Sequence, residues 1–453
     1  MKIQFLGATD TVTGSKYLIR YGDYSVLVDC GLFQGYKPLR LRNWSPLPVV
    51  PSSINAVILT HAHIDHSGYL PLLASHGFRG KVFCTEGTAD LCRILLPDAG
   101  HLQEEEAEYA NRHGFSKHTP AKPLYTREDA ERCLKLLHPV ETGKRWHPVP
   151  GLTASLTPSG HMVGSSFVYL DNGSRSVLFS GDIGRPNDLI LKPPANMEGA
   201  DYLVVESTYG NRIHRESDPI LALGEVINRT SARGGVVVIP AFAVGRAQTL
   251  MHCIQILKAQ GIIPRGLPIY LNSPMAANAT QVYLKHRTEL RLTTAQCEAM
   301  SHTAHVVQSP EESRLLNARS GPMVIIAASG MATGGRVVHH LKAFAPDKRN
   351  SIVFAGFQSG GTRGAIIAGG AHAVRIHGED VPIRAEVVML DDLSAHADAS
   401  EIIGWLQKFK SIPKQTFITH GEPAAADAMR QRIERELHWN CHLPFYLESI
   451  ALH

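Results

Sequence analysis

The hexapeptide His61-Ala62-His63-Ile64-Asp65-His66 stands directly behind the apolar run Ala56-Val57-Ile58-Leu59-Thr60. Four groups able to ligate a metal within six residues rarely arise on a solvated surface. Their place after an apolar β-type run assigns them to a loop leaving a strand end, where side chains can splay toward one point. The spacing is His-x-His-x-Asp-His, not the His-Glu-x-x-His pattern that needs a helix to put two imidazoles on one face. A fold that uses this hexapeptide must bring other ligand-bearing strand ends to the same place. Three candidates follow apolar runs and adjoin glycine: His161 in PSGHMVG, Asp182 in FSGDIG and His420 in ITHGE. Asp29, in VLVDCG, is a further carboxylate at a strand end. Taken singly, His161 and His420 read more simply as hydrogen-bonded structural histidines, and Asp29 and Asp182 as turn or cap residues. The hexapeptide is what tips the set toward metal.

Two adjacent ions can share these groups, with His61 and His63 on one and Asp65 and His66 on the other. An imidazole-rich set with some carboxylate suits zinc better than magnesium or calcium, which want oxygen ligands. Seven candidates exceed what one tetrahedral ion uses. The expectation is therefore two zinc ions per chain.

Residues 1–60 read as short strands (IQFLGA, KYLIRYG, SVLVDCG, NAVILT), and a helical hairpin fills about 85–137, where GTADLCRILLPDAG and ERCLKLLH show helical spacing. Strands return with LTASLTPSG, SSFVYLD, RSVLFSG and DYLVVES. From Gly210 strands alternate with helices of about a dozen residues, beginning with VVVIP and GRAQTLMHCIQILKAQG, the pattern of a mostly parallel sheet with crossover helices. A helix (ASEIIGWLQKF), the strand QTFITH and a final helix close the chain. At 453 residues and 44% hydrophobic residues, the chain suits two domains or one domain with a large insertion. No apolar run reaches a membrane span, and the N-terminus reads as a strand and hairpin, not an export signal. The seven cysteines are widely spaced without a CxxC pair, which argues against a disulfide framework or a Cys-type zinc site and for a reducing, cytoplasmic setting. Between Tyr209 and Leu393, 19 Lys and Arg stand against 13 Asp and Glu, an excess that suits a polyanion-facing insert or simply an uneven surface.

These motifs resemble, in order, those of the metallo-β-lactamase superfamily: Asp29, then His61 to His66, then His161, then Asp182. The resemblance implies an αββα sandwich with metals at one edge. His61, His63 and His161 would bind one ion, and Asp65, His66 and His420 the other. Asp182 would bridge them, and Asp29 would orient a metal-binding histidine. The metal site alone does not name the substrate. The stretch after Asp182 is more specific. VVESTYGNR around Glu206, an α/β insert, LSAHADASEI around His396 and ITHGE around His420 resemble the β-CASP nucleases, whose extra α/β domain is inserted in the sandwich. PAFAVGRAQ, NSPMA, ASGMATGGR and FQSGGTRG also look like that family. The expected domains are 1–208 and 394–453 for the sandwich and 209–393 for the β-CASP insert.

A histidine at position 420 is the form found in the family's RNA-processing branch, where the DNA-repair branch typically has valine. Because the sequence ends soon after that motif, it looks most like the compact prokaryotic homologues of the cleavage and polyadenylation endonuclease, related to ribonuclease J. The resemblance implies RNA as substrate, endonucleolytic with a 5′-exonuclease mode left open, and products with 5′-phosphate and 3′-hydroxyl ends. Asp65 and Asp182 would serve catalysis through the metals. His396 would protonate the leaving oxygen and Glu206 would orient it. Single strands are expected to be preferred, with no membrane association and homodimerisation left open. In the insert, Arg246, Ser329 and Thr333 are candidate phosphate contacts, the latter two in a Gly-rich turn entering a helix. A small-molecule ester or thioester hydrolase and a non-catalytic scaffold are the competing readings. The insert argues against the first and the complete ligand set against the second.

Overall fold

The computed structural model describes residues 1–114, 116–214 and 218–453. It divides into two compact units, one of Met1–Asp188, Lys192–Ile213 and His396–His453, the other of Leu189–Leu191 and His214–Ala395.

In chain order, the first unit begins with β1 (Lys2–Phe5), β2 (Tyr17–Tyr21), β3 (Tyr24–Val28), β4 (Ala56–Ile58), β5 (Lys81–Cys84) and β6 (Leu137–Pro139). It continues with β7 (Arg145–Val149), β8 (Leu152–Pro158), β9 (Ser166–Asp171), β10 (Ser176–Phe179) and β11 (Tyr202–Glu206). The second unit holds β12 (Val236–Pro240), β13 (Ile269–Asn272), β14 (His305–Val306), β15 (Met323–Ala327), β16 (Ser351–Phe354), β17 (Ala373–Ile376), β18 (Glu379–Pro382) and β19 (Glu386–Met389). The chain then returns to the first unit with β20 (Gln415–Thr419), β21 (Cys441–His442) and β22 (Ser449–Ala451).

The first unit has two seven-stranded sheets, in the orders β22-β1-β2-β3-β4-β5-β6 and β21-β20-β11-β10-β9-β8-β7. Alternation along the strands explains how they pack. Val168, Leu170, Val177, Phe179 and Val204 join Ile3, Ile19, Val28 and Ile58 in a core between the sheets. The intervening Phe167, Leu178, Leu203 and Val205 face Ile402, Trp405, Met429 and Ile433 of the helices Ala399–Leu406 and Pro423–Leu437. Strands buried on both faces read as continuous apolar runs, which is why SVLF and YLVVE carry no polar alternation. The helix Glu86–His113, opened by a Thr85 side chain that accepts from Thr88 N, crosses over between the parallel neighbours β5 and β6. The architecture is the αββα sandwich expected from the motifs.

Two local readings differ. ERCLKLLH is not helical throughout: the helix ends at Cys133 and Leu137–Pro139 becomes the edge strand β6. Pro139 disfavours helical backbone at the residue before it and cannot donate to a ladder, which an edge strand tolerates. The insert also holds a hairpin, β17 with β18, amid its parallel sheet. His377 and Gly378 form its two-residue turn with φ of 49° and 82°, the left-handed pair that matches strand twist.

The second unit's main sheet runs β14-β13-β15-β12-β16-β19, all parallel, with helices on both faces. Val237, Ile239, Val324 and Ile326 face the helix Arg246–Ala259, and Val236, Val238 and Ile325 face the helix Arg336–Phe344. This is the inserted α/β domain.

Candidate metal centre

Strand direction gathers the site. β3 and β4 are parallel neighbours, and β10, β11 and β20 run parallel in the second sheet. β8 joins that direction because it is antiparallel to β9, which is antiparallel to β10. Their C-terminal ends deliver Asp29, His61, His161, Asp182, Glu206 and His420 to one edge of the sandwich. The hexapeptide leaves β4 through a short helix, Ile64–Ser67, which turns Asp65 and His66 back toward the same edge. Close backbone packing requires glycine here. A Cβ on Gly31 would lie 1.6 Å from the Asp65 carbonyl oxygen, and one on Gly184 would lie 2.0 Å from that of Gly160.

Two candidate ligand groups result, and Asp182 lies beside both. Nε2 of His61 and of His161 stand 3.1 and 3.2 Å from Nδ1 of His63. Asp182 Oδ2 lies 3.4 Å from the first and 3.5 Å from the second. On the other side, His66 Nε2 and His420 Nε2 are 3.0 Å apart, and Asp65 Oδ2 is 3.4 Å from His420 Nε2. Asp182 Oδ1 lies 3.3 Å from His66 Nε2.

The buried groups behind these residues set the ring tautomers. Asp29 accepts from Thr60 N at 2.7 Å and from Thr60 Oγ1 at 2.9 Å, and its Oδ2 lies 2.8 Å from His66 Nδ1. A carboxylate only accepts, so His66 Nδ1 carries a proton and Nε2 is the ring atom left to face the centre. Thr60 Oγ1, having donated to Asp29, is left to accept from His61 Nδ1 at 3.0 Å. Thr208 Oγ1 donates to the His420 carbonyl and lies 3.1 Å from His420 Nδ1. Thr60 and Thr208 were not singled out from the sequence. The available signal was their adjacency to His61 and to Glu206 in ILTHAH and VESTYG.

The donor set fits a divalent cation. Burial pushes His61 down to about 3 and His63 to about 4, and holds His161 well below the usual histidine range, so these rings are neutral and offer lone pairs. Burial alone would raise Asp182, but the neighbouring imidazoles outweigh it, hold the carboxylate well below its usual range and leave it ionised. Its Oδ1 is buried, and no hydrogen-bond donor reaches it among the described residues. Neutral nitrogen lone pairs and an ionised carboxylate converging this closely are the arrangement that a positive ion stabilises. His61, His63, His161 and Asp182 form one group that could hold an ion, and Asp65, His66 and His420 another.

Beside them, His396 Nδ1 lies 3.2 Å from Glu206 Oε2, and its Nε2 lies 3.9 Å from Asp182 Oδ2. Glu206 Oε1 accepts from Ile183 N at 2.6 Å, which fixes the carboxylate. Burial disfavours the charged His396, but Glu206 and Asp182 outweigh it and raise the imidazole above its ordinary range. The side chain remains 18% exposed, so it is reachable from solvent. Arg246, Ser329 and Thr333 belong to the second unit. Arg246 opens its helix and is buried, and Thr333 N donates to Ser329 Oγ at 3.1 Å.

Comparison with known proteins agrees with this fold. The family model of the metallo-β-lactamase superfamily matches residues 10–220. The β-CASP domain matches residues 247–367, and the Zn-dependent metallo-hydrolase RNA specificity domain residues 380–444. Ribonuclease TTHA0252 of Thermus thermophilus is 37% identical over 430 residues, 93% of each chain. Transcription termination factor FttA of Methanocaldococcus jannaschii is 30% identical over 470 residues, covering 100% of this chain and 72% of that one. A crystal structure of a protein of unknown function from Enterococcus faecalis V583 shares the fold, with a TM-score of 0.52 at 13% identity over 100% of this chain and 99% of that one. The chain therefore belongs to the β-CASP family of metallo-β-lactamase-superfamily enzymes.

Proposed function

We propose that this enzyme is a zinc-dependent ribonuclease that hydrolyses phosphodiester bonds within RNA, preferably single-stranded, to 5′-phosphate and 3′-hydroxyl ends. The observation that carries the reading is the placement of Asp182. Each of its oxygens faces a different ligand group, and His396 stands beside it, backed by Glu206. His61, His63 and His161 would hold one zinc ion and Asp65, His66 and His420 a second, with Asp182 placed beside both groups. When bound, such ions supply Lewis acidity that polarises a phosphoryl oxygen and makes water acidic enough to deprotonate near neutral pH.

The chain's own groups do the rest. His396 carries the proton that the departing 3′ oxygen needs, delivered from Nε2, while Glu206 accepts from Nδ1 and so favours the charged ring. Asp29 and Thr60 keep His66 and His61 in the ligating tautomer. Arg246, Ser329 and Thr333 contact phosphates, so binding weakens as salt rises. RNA as substrate is supported by the ribonuclease and RNA-specificity matches described above. A cytosolic setting is supported by the seven free cysteines, six of them buried. Among the described residues no helix is long and apolar enough to cross a membrane.

The test is metal analysis of the purified protein followed by incubation with end-labelled single-stranded RNA and mapping of product ends. About two zinc ions per chain and internal cuts leaving 5′-phosphates are expected. A zinc-loaded protein that leaves RNA intact while hydrolysing esters or thioesters would overturn the reading.

A further inference from the structure

The second unit's sheet contains a topological reversal. β12 leads through the helix Arg246–Ala259 to β13, crossing β15 to one side. β15 leads through the helix Arg336–Phe344 to β16, crossing β12 to the other side. Right-handed crossovers in opposite directions put the two helices on opposite faces, and the two separate cores show that they do. A crevice therefore opens beyond the C-terminal ends of the neighbours β12 and β15. Open α/β sheets bind ligands at such a switch point.

Phe242 occupies that place. It lies two residues past β12 in a loop whose other members are buried, Ala241 at 1% and Ala243 at 6% exposure, yet it is itself 38% exposed. One side of its ring rests on Gly330, three residues past β15. A Cβ at Gly330 would lie 2.8 Å from Phe242 Cδ2, so glycine is required there for the close approach of the ring. The turn beneath the ring is pinned. Gln358 Nε2 donates to Gly330 O at 3.2 Å and Phe357 O at 3.1 Å, and Arg363 Nη1 donates to Thr333 O at 2.7 Å. The result is an aromatic ring on a braced backbone, at a ligand-binding position of the sheet, between the loop that leads into the helix Arg246–Ala259 and the turn that Arg363 braces.

We infer that Phe242 is a stacking platform for a nucleobase. The inference rests on the RNA reading above for the source of that base, namely a single strand. Stacking suits a processing enzyme because every base has a π-face, so the contact holds unpaired strands without reading their sequence. A duplex keeps its bases stacked on one another and gains nothing from the ring.

The test titrates metal-loaded protein with fluorescein-labelled single-stranded oligoribonucleotides carrying hydrolysis-resistant phosphorothioate linkages, followed by anisotropy. Phe242→Leu, which keeps apolar bulk but lacks a π-face, should weaken binding about ten-fold, and Phe242→Trp should not. In strands with one abasic site, the natural protein should lose a similar factor at a single position, where Phe242→Leu loses nothing further. Equal affinities for natural, Leu and Trp proteins, with the abasic response intact in all three, would overturn the platform while leaving the RNA reading in place. A competition arm with AMP separates the sources. Displacement that depends on Phe242 shows that a free mononucleotide also uses the ring. If the natural protein binds no strand, the RNA reading falls. The platform then survives only if Phe242→Leu abolishes AMP binding, and falls if AMP does not bind.

Discussion

At the scale of single residues, His396 stands apart from the seven proposed ligands in the role proposed for it, that of an acid. Its Nδ1 is held by a carboxylate, while Nε2 lies 3.9 Å from Asp182 and the side chain is partly exposed. His396→Ala should retain zinc and still bind RNA but lose roughly 10²–10⁴-fold in rate, the worth of a positioned acid. A substrate with sulfur in place of the scissile 3′ oxygen needs far less protonation and should restore much of the mutant's relative rate. His420→Ala should show no such rescue, because it loses a metal ligand. Equal rescue of both, or of neither, would remove His396 from the acid role. Lys16 makes a different residue-level case. It is wholly buried, with Nζ 4.5 Å from the Phe33 ring centroid, 4.8 Å from that of Tyr69 and 3.3 Å from Gly14 O. Burial pushes its pKa down from 10.5 to about 8. The folded state thus binds this proton less tightly than the unfolded chain. The associated stability is fully present above pH ~10.5 and is lost as pH falls through about 8. Lys16→Met should therefore stabilise the protein at pH 7 by roughly 2–3 kcal/mol and narrow that advantage toward pH 10. Urea unfolding midpoints at both pH values check this, and an advantage that does not change with pH would contradict it.

At the scale of elements, the turn after β3 and the hexapeptide after β4 are locked together by backbone contacts. Cys30 N donates to His66 O at 2.7 Å, and Ser15 N to Asp65 O at 2.9 Å. Gly31 lies between them with no room for a Cβ. Gly31→Ala must move the segment carrying Asp65 and His66, so zinc content and melting temperature should fall together, at a cost of a few kcal/mol. Gly404 is the control. It sits inside the helix Ala399–Leu406 with open space around a built Cβ, so Gly404→Ala should be neutral or stabilise by up to ~1 kcal/mol. Zinc analysis and thermal melts of both variants decide the point. If Gly31→Ala keeps its metal and melting temperature, the locking argument is wrong.

At the scale of the whole molecule, each unit has its own hydrophobic cores, and all nine residues of the proposed centre lie in the first. The ends of the insertion in that unit are close, since Ala399 N donates to Arg212 O at 3.2 Å. Replacing 214–395 by a short Gly/Ser linker should therefore close the first unit at small entropic cost and leave a protein that still binds two zinc ions. It should lose RNA affinity, because the proposed phosphate and base contacts go with the insert. A linker variant that folds, by circular dichroism and a cooperative melt, yet holds no zinc would show that the centre depends on the second unit.

The amino-acid sequence by itself determined the family motifs and the order of the parts. Apolar runs ending in His, Asp or Glu beside glycine mark strand ends, and a hexapeptide dense in ligands is legible without knowing what lies across from it. The change from short strands to strand-helix alternation likewise announces an inserted α/β sheet. What only the tertiary structure decided are relations between residues distant in the chain. His66 and His420 are 354 positions apart and meet at 3.0 Å because of how the strands of the two sheets are placed. The division of Asp182's oxygens, the buried hydroxyls of Thr60 and Thr208 that assign tautomers, and the depth of Lys16 follow from the same placement. So does the exposure of Phe242, which the sequence shows only as part of PAFAVGR. It emerges beside Gly330 only because neighbouring strands send their crossovers in opposite directions. Local patterns are encoded by neighbours in the chain, and can be read there. Hydrogen-bond partners and exposure depend on the register of strands, which no single segment contains.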